Sequence, residues 1–254
     1  APGEYAKIML PELTFPYLIP GQEVLLDDGK IHLKIVEKAE NMAENGGENT
    51  QGKRYFAKVL WGGLLKSRKS AALPGAKIYP PTLTNSDLAN IKIAKEMGVT
   101  GVMQPFVRDH SDLECVKEAL REAGAEDIRL FAKIENMDGV RKLEKLLPAA
   151  DEIVIARGDL GNAVHLWDLP GVQRQISEKC RAAGKPFMVV TQMLASMERS
   201  PVPTRAEVND IFHAVMDGAA SIMVTGETAV GDYPVEVIRY MVNTVRSAEK
   251  EENR

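Results

Sequence analysis

Four short apolar runs of the chain end on residues that carry charge or a hydroxyl group. Lys133 and Glu135 stand in FAKIEN, residues 157–159 (RGD) follow IVIA, Thr191 follows FMVV, and residues 225–227 (TGE) follow SIMV. Each signal alone has a common structural interpretation, because a Lys-x-Glu pair is usually a surface ion pair and Thr225 with Glu227 could cap a helix. The functional interpretation therefore depends on whether these four groups of residues, called the run ends below, lie close together in the folded protein.

Two of these run ends carry the acids Glu135 and Asp159. Mg²⁺ typically takes one or two carboxylates and completes its shell with water and substrate oxygens. Histidine and cysteine are missing from the run ends, which disfavours zinc. Lys133 is two residues before Glu135 and shares its face of a strand. These residues predict a site for Mg²⁺ or Mn²⁺, with the Lys133 ammonium group placed to stabilise negative charge on a substrate oxygen.

The segments that must position these residues begin at Thr82. From there, apolar runs of strand length alternate with amphipathic segments of helical period, which predicts a parallel α/β architecture. The predicted elements include a strand over residues 99–107 and a helix over residues 139–150. The strands are apolar on both faces, as is typical of sheets covered by helices. In such folds ligands bind at the carboxyl ends of the strands. Two capping patterns predict helix starts, namely Thr84 with Asp87 and Thr204 with Glu207. We interpret the second pattern as a structural feature and not as a catalytic one.

The first 75 residues have a different texture. Asp27-Asp28-Gly29 separates two apolar runs, which is a strong hairpin signal. The polar residues 39–52 predict a hairpin loop, and residues 53–65 (KRYFAKVLWGGLL) predict a further strand. We therefore predict a small antiparallel β domain over residues 1–75 and the larger α/β domain over residues 76–254.

Composition argues against several classes of protein. The 254 residues are 44% apolar and 27% charged, which is enough for a sizeable core. The net charge of −4 gives no basic surface for nucleic acid, and no apolar run approaches the roughly 18 residues of a membrane span. Cys115 and Cys180 are too few for a disulfide framework. We predict a cytoplasmic protein without nucleic-acid or membrane partners.

The motifs also resemble those of a known family, the pyruvate kinases, in the same order and at the same spacing. The motifs that carry the resemblance are FAKIEN, IVIARGDLG, GKPFMVVTQMLASM, PVPTRAEVNDIFHAVMDGA and IMVTGETAVGDYPVEVI, with DDGKI, KSRKSAALPG, PTLTNSD and PFVRDHSD upstream. The resemblance covers nearly the whole chain beyond Gly21. It implies a (β/α)₈ barrel of the TIM type with a small all-β lid domain inserted after the third strand.

The resemblance also implies roles for the residues at the run ends. Lys133 would be the catalytic lysine near the transferred phosphoryl group, and Glu135 and Asp159 would bind Mg²⁺. Thr191 would contact the substrate carboxylate and flank the face where the enolate is protonated. The implied substrate-binding residues are Ala156, Arg157, Gly158, Asp159 and Thr191, helped by the helix N-terminus that follows. Thr225 and Glu227 would lie near the proton-delivery path.

Several features of the family have no match in the chain. Its first barrel strands carry an Arg and an Asn for phosphate and potassium and an Asp-Thr pair for the cation, and we find no such potassium site. Residues 1–10 resemble a stub of the third barrel strand, and the family's C-terminal effector domain is not found. Pro105 replaces a Ser and His213 replaces an Asn of the family pattern.

About five strand–helix units are recognisable, so the expected barrel is incomplete. Eight parallel strands close on themselves, whereas five leave two apolar edges exposed. We expect the edges to be covered by a second copy in a homo-oligomer, by a complementing chain, or by residues outside the sequence. An alternative is that the segment near Tyr5–Phe15 fills the gap.

Three functions are compatible with these residues. The leading hypothesis is a pyruvate-kinase-like phosphotransferase acting on phosphoenolpyruvate and ADP to give pyruvate and ATP. The second is a metal-dependent lyase or decarboxylase, acting on oxaloacetate or cleaving an aldol with only the pyruvate and metal half-site. The third is a non-catalytic partner subunit that retains the motifs without the activity.

Overall fold

The computed structural model describes residues 6–27, 29–39, 54–67, 69–76 and 78–252. The packing of the chain divides it into two units, Ala1–Pro80 and Pro81–Arg254. Within the described residues no helix is both long and apolar enough to cross a membrane.

The first unit contains an antiparallel sheet. Its strands are β1 (Glu23–Leu26), β2 (Ile31–Lys38), β3 (Tyr55–Trp61) and β4 (Ala71–Ala72), in the order β3-β2-β1-β4. The predicted hairpin is confirmed, with Leu26 paired to Ile31. Asp27 and Gly29 both have positive φ in its turn, as Asp and Gly tolerate. Most of the predicted loop at residues 39–52 lies outside the described residues.

A separate apolar core belongs to this first unit. Alternate residues of β1 and β2 point to one face of the sheet and are buried there. The buried cluster contains Leu18, Val24, Leu26, Ile31, Leu33, Ile35 and Leu73. Phe15 and Tyr17 of a 3₁₀ helix (Glu12–Tyr17) pack on the same cluster. Residues 6–15 therefore pack on the core of the small sheet and form no barrel strand, so the alternative that this segment fills the barrel gap is wrong for the described residues.

The second unit is a parallel sheet with helices between its strands. Its strands are β5 (Gly101–Gln104), β6 (Arg129–Ile134), β7 (Glu152–Ala156), β8 (Phe187–Val190) and β9 (Ser221–Met223), and they neighbour one another in chain order. The helices are α1 (Asn85–Ala94), α2 (His110–Glu122), α3 (Met137–Arg141), α4 (Leu143–Leu146), α5 (Arg157–Ala163), α6 (Leu169–Ala182), α7 (Arg205–Met216), α8 (Gly226–Ala229) and α9 (Pro234–Glu252). The predicted fold class, an incomplete α/β barrel of five units in a chain that also contains a small antiparallel sheet, is confirmed.

The two faces of the parallel sheet are buried in different clusters. Ile153 and Ile155 of β7 lie in the large core with the helices. Val154 and Ala156 lie on the other face, in a smaller cluster with Phe131 of β6. Because side chains alternate along a strand, Lys133 shares the face of Phe131. The register, which pairs Lys133 with Val154, agrees with this placement.

Local signals account for the ends of several elements. Thr84 and Thr204 each form the predicted capping box, with Asp87 and Glu207 respectively.

Two boundaries were predicted wrongly. The predicted helix over residues 139–150 is broken at Lys142 into α3 and α4. After α4 comes a 3₁₀ turn (Leu147–Ala149), where Pro148 has no N–H to continue an α-helix. The strand predicted over residues 99–107 ends at Gln104, because Pro105 follows.

Candidate active site

The parallel register brings the four predicted run ends to one edge of the sheet. Ile134 pairs with Ile155 in β6 and β7, so Glu135 follows beside Ala156. Asp159 lies in the first turn of α5, directly after β7. Ala156 pairs with Val190 in β8, and Val190 pairs with Met223 in β9. Thr191 and residues 225–227 therefore follow at the same edge.

Lys133 and Glu135 form an ion pair that is shielded from solvent. Lys133 Nζ lies 2.8 Å from Glu135 Oε1, and the Glu135 side chain is only 2% exposed. The backbone N–H of Phe106 donates to Glu135 Oε2 at 2.7 Å. Both carboxylate oxygens thus have a donor, and the pair is no ordinary surface ion pair.

Phe106 was not predicted as a site residue from its sequence. Its φ of 51° lies in the left-handed region, and its side chain is half-exposed at the end of β5. Such a conformation is uncommon outside glycine, and here the Glu135 carboxylate holds the Phe106 N–H in place. The signal that could have identified it is Pro105, which ends β5 and starts a turn.

Arg157 has its guanidinium group committed to protein partners. Nη1 lies 2.7 Å from Asp210 Oδ2, and Nη2 donates to the Thr191 carbonyl at 2.8 Å. Met193 Sδ also lies 2.8 Å from Nη2. The Arg157 side chain is only 13% exposed. Arg157 can therefore contact a ligand only through its backbone, because its guanidinium group is already occupied. Sequence reasoning did not select Asp210.

Thr191 and Gln192 have unusual backbones immediately after β8. Their φ angles are 84° and 54°. Left-handed conformations are rare for a β-branched residue and cost about 1–3 kcal/mol, so the surroundings must hold Thr191 there. Gly158 packs closely against it, since a Cβ at residue 158 would lie 3.0 Å from Thr191 Cγ2. A side chain at residue 158 would thus crowd Thr191.

Glu227 is buried, with 2% of its surface exposed, and it links two run ends. Its Oε1 accepts the backbone N–H of Leu194 at 3.2 Å, and its Oε2 accepts that of Thr225 at 2.8 Å. Thr225 is the N-cap of α8 but makes no capping hydrogen bond with its side chain. Glu227 therefore ties the segment after β8 to the segment after β9.

Glu207 makes a second link, from α7 to the same segment. Its carboxylate accepts the Ser196 N–H at 2.7 Å and the Ser196 hydroxyl at 2.6 Å, besides closing the capping box with Thr204. Burial raises the pKa of Glu207, but the hydrogen bonds from Ser196 and Thr204 outweigh it and leave the pKa below its usual value. Sequence reasoning identified the capping box and missed Ser196.

The acids at the sheet edge suit a hard cation. Among the described residues, no group of three or more histidine, cysteine or acidic side chains could hold a metal ion. Glu135 and Asp159 follow the neighbouring strands β6 and β7, and two carboxylates are the number that Mg²⁺ usually takes from a protein. Oxygen-only donors of this type also suit Mn²⁺ and disfavour zinc. The residues present therefore fit Mg²⁺ or Mn²⁺.

A known protein family matches most of the chain. The family model described as pyruvate kinase, barrel domain, matches residues 6–238. The chain belongs to the pyruvate kinase family. This match confirms the family that the sequence motifs indicated.

Curated pyruvate kinases from several bacteria are similar to this family member. The chain is 38% identical over 230 residues to that of Bacillus licheniformis, covering 91% of the chain and 38% of the relative. It is 39% identical over 233 residues to that of Geobacillus stearothermophilus, with 90% and 38% covered. It is 35% identical over 247 residues to that of Chlamydia trachomatis serovar D, with 97% and 48% covered. The chain thus spans less than half the length of these relatives.

Proposed function

We propose that the complete protein catalyses phosphoryl transfer between phosphoenolpyruvate and ADP, giving pyruvate and ATP, and that this chain carries the keto-acid half of the active site. The observation that carries the proposal is the shielded Lys133–Glu135 pair at the sheet edge, within the residues that match the family model. The names of the curated relatives support the same reaction. The decarboxylase hypothesis has no observation of its own in its favour.

In this proposal Glu135 and Asp159 hold Mg²⁺ or Mn²⁺. When bound, such a cation neutralises charge on phosphoryl and keto-acid oxygens. Phosphoryl transfer depends mainly on positioning and on neutralising this charge. Lys133 supports that role, because its ammonium group lies on the same face of the sheet and is 25% exposed, which leaves it within reach of a substrate oxygen.

The remaining residues bind and orient the substrate in this proposal. The backbone of residues 156–159 holds the substrate carboxylate, and Thr191 contacts it from the next strand end. Gly158 supports this assignment because its lack of a side chain lets Thr191 approach the turn closely. Thr225 supplies a hydroxyl near the proton-delivery path, and Glu227 holds the Thr225 backbone by its N–H.

The test is an assay of the complete protein with phosphoenolpyruvate, ADP, K⁺ and Mg²⁺. We expect pyruvate and ATP to form in equal amounts, and a chelator to stop the reaction. A parallel assay supplies oxaloacetate and Mg²⁺ without nucleotide. Release of pyruvate from oxaloacetate, with no product from phosphoenolpyruvate and ADP, would refute the kinase proposal and favour a decarboxylase.

The predictions about oligomeric state, cellular location and the role of residues 1–75 do not depend on this proposal. A homo-oligomer or a complementing chain remains a prediction, and so does location in the cytoplasm. The interpretation of residues 1–75 as a lid domain also remains a prediction.

A further inference from the structure

Arg157 joins three segments that are distant along the chain. It begins α5 after β7, its guanidinium group contacts Asp210 in α7, and the same group donates to the carbonyl of Thr191 after β8. Its Nε also donates to the Thr191 carbonyl, at 3.3 Å. Two donors from one planar group therefore fix the orientation of a single peptide unit.

The peptide unit that Arg157 holds belongs to the most unusual backbone at the sheet edge. Thr191 has a φ of 84° and Gln192 a φ of 54°. A β-branched residue does not stay in this region unless its surroundings hold it. Arg157 holds Thr191 through its carbonyl, and Gly158 packs against its methyl group. The Thr191 hydroxyl is thus fixed by contacts that do not involve the hydroxyl itself.

Asp210 restrains the guanidinium group from the opposite side. Its carboxylate accepts from Nη1, while Nη2 and Nε face Thr191. A charge-assisted contact at 2.7 Å keeps the planar group in one orientation. Without it, the Arg157 side chain could turn away from the Thr191 carbonyl.

We propose that Arg157 and Asp210 are a positioning pair for Thr191, and that the guanidinium group acts on the reaction only through the Thr191 backbone. This inference rests on the proposed function, in which Thr191 contacts the substrate carboxylate. It assigns Asp210 a role that the motif pattern did not give it. It also explains why an arginine stands beside the expected carboxylate site with its charge already neutralised.

The variants Asp210→Asn and Arg157→Lys separate positioning from direct substrate binding. Asparagine keeps an acceptor for Nη1 but loses the charge. A lysine ammonium group keeps the charge but cannot reproduce the planar fork that meets both Asp210 and Thr191. We expect kcat/KM for phosphoenolpyruvate to fall roughly 10-fold in Asp210→Asn and about 100-fold in Arg157→Lys, because a displaced Thr191 loses its contact with the substrate.

Matched controls come from an exposed pair of the same type. Arg174 and Glu178 lie 2.8 Å apart on the surface of α6, with the side chains 77% and 50% exposed. Glu178→Gln and Arg174→Lys make the same chemical changes away from the sheet edge. We expect kcat and KM in both controls to equal those of the parent protein.

A second readout does not require activity. Hydrogen–deuterium exchange of peptides that cover residues 191–194 reports directly on whether this segment loosens. We expect faster exchange there in both test variants and in neither control. If the parent protein had no kinase activity, the proposed function would fail, and the exchange measurement would still decide whether the pair positions Thr191.

Two results would overturn the positioning role. One is unchanged exchange over residues 191–194 in both Asp210→Asn and Arg157→Lys. The other is faster exchange there with kcat and KM both unchanged, because the pair would then hold this segment without acting on the reaction.

Discussion

Lys133 Nζ lies 2.8 Å from Glu135 Oε1, so an ammonium group occupies one oxygen of an acid that we propose as a metal ligand. The other oxygen accepts the Phe106 N–H. A cation that binds Glu135 must therefore displace Lys133 from Oε1 or share that oxygen with it. Metal binding and the position of the Lys133 ammonium group are thus coupled through one carboxylate.

The first prediction concerns metal binding. Glu135→Gln and Asp159→Asn each replace an anionic oxygen donor by a neutral amide, which binds hard cations much more weakly. We expect both changes to abolish binding of Mn²⁺, used as a spectroscopic probe, in the complete protein. Electron paramagnetic resonance titration of free Mn²⁺ is the measurement.

The control for that titration is Glu122→Gln, which changes an exposed acid on α2 in the same way. The control protein should bind Mn²⁺ like the parent. Unchanged binding in Glu135→Gln or in Asp159→Asn would remove that residue from the proposed metal site.

The second prediction concerns Lys133. Lys133→Met removes the ammonium group but keeps much of the side-chain length, so kcat should fall by roughly 100- to 1000-fold. Mn²⁺ binding should persist or tighten, because Glu135 Oε1 loses its competing partner. Lys145→Met, at an exposed position on α4, is the matched control. A variant at Lys133 that kept full kcat would rule out a catalytic role for this ammonium group.

The α/β part of the fold was predictable because its signals are local and repeated. Apolar runs such as IVIA become wholly buried strands, and Thr84 and Thr204 start helices where their capping boxes indicate. Helical periodicity over residues 139–150 did not indicate the break at Lys142, and Pro148 accounts only for the end of α4.

The candidate site was predictable only in part. Strand alternation places Lys133 and Glu135 on one face, and parallel register places Asp159 and Thr191 at the same edge. Asp210 could not be predicted, because its contact with Arg157 spans 53 residues and depends on how α7 packs. Motif spacing reports which residues share a strand or a helix but not which side chains meet across elements.

The third prediction concerns Glu227, whose two oxygens accept the N–H groups of Leu194 and Thr225. In Glu227→Gln an amide NH₂ must face one of these donors, which costs about 1–3 kcal/mol at a buried position. We expect faster hydrogen exchange at Leu194 and Thr225 and a lower kcat. A lower kcat with unchanged exchange at both amides would instead assign Glu227 to the chemistry itself.

The fourth prediction concerns acid stability. Asp112 is buried, and burial raises its pKa, but hydrogen bonds from Arg108 and Thr82 outweigh burial and lower the pKa from 3.8 to about 2. Because the pKa is lower in the folded protein than in the unfolded chain, the stabilisation is complete above the unfolded pKa. It amounts to roughly 2 kcal/mol and is lost as the pH falls from about 4 towards 2.

Asp112→Asn should therefore lower the Tm at pH 7 by about 5 °C or more, and its difference from the parent protein should shrink as the pH approaches 3. Asp127→Asn, in an exposed pair with Lys95, should leave the Tm unchanged at each pH. Thermal unfolding at pH 7, 5 and 3 makes the comparison. A Tm difference for Asp112→Asn that stayed constant over this range would contradict the assigned role of its charge.

The fifth prediction concerns the two thiols. Burial raises the pKa of Cys180 to about 12, although the nearby Lys185 charge partly opposes the shift, whereas Cys115 is exposed on α2. Since the thiolate is the reactive form, iodoacetamide at pH 8 should alkylate Cys115 and spare Cys180 in the folded protein. Peptide mass spectrometry before and after denaturation distinguishes the two sites. Equal alkylation of both without denaturant would show that α6 opens from the sheet on the timescale of labelling and that the core around Cys180 is less stable than its packing indicates.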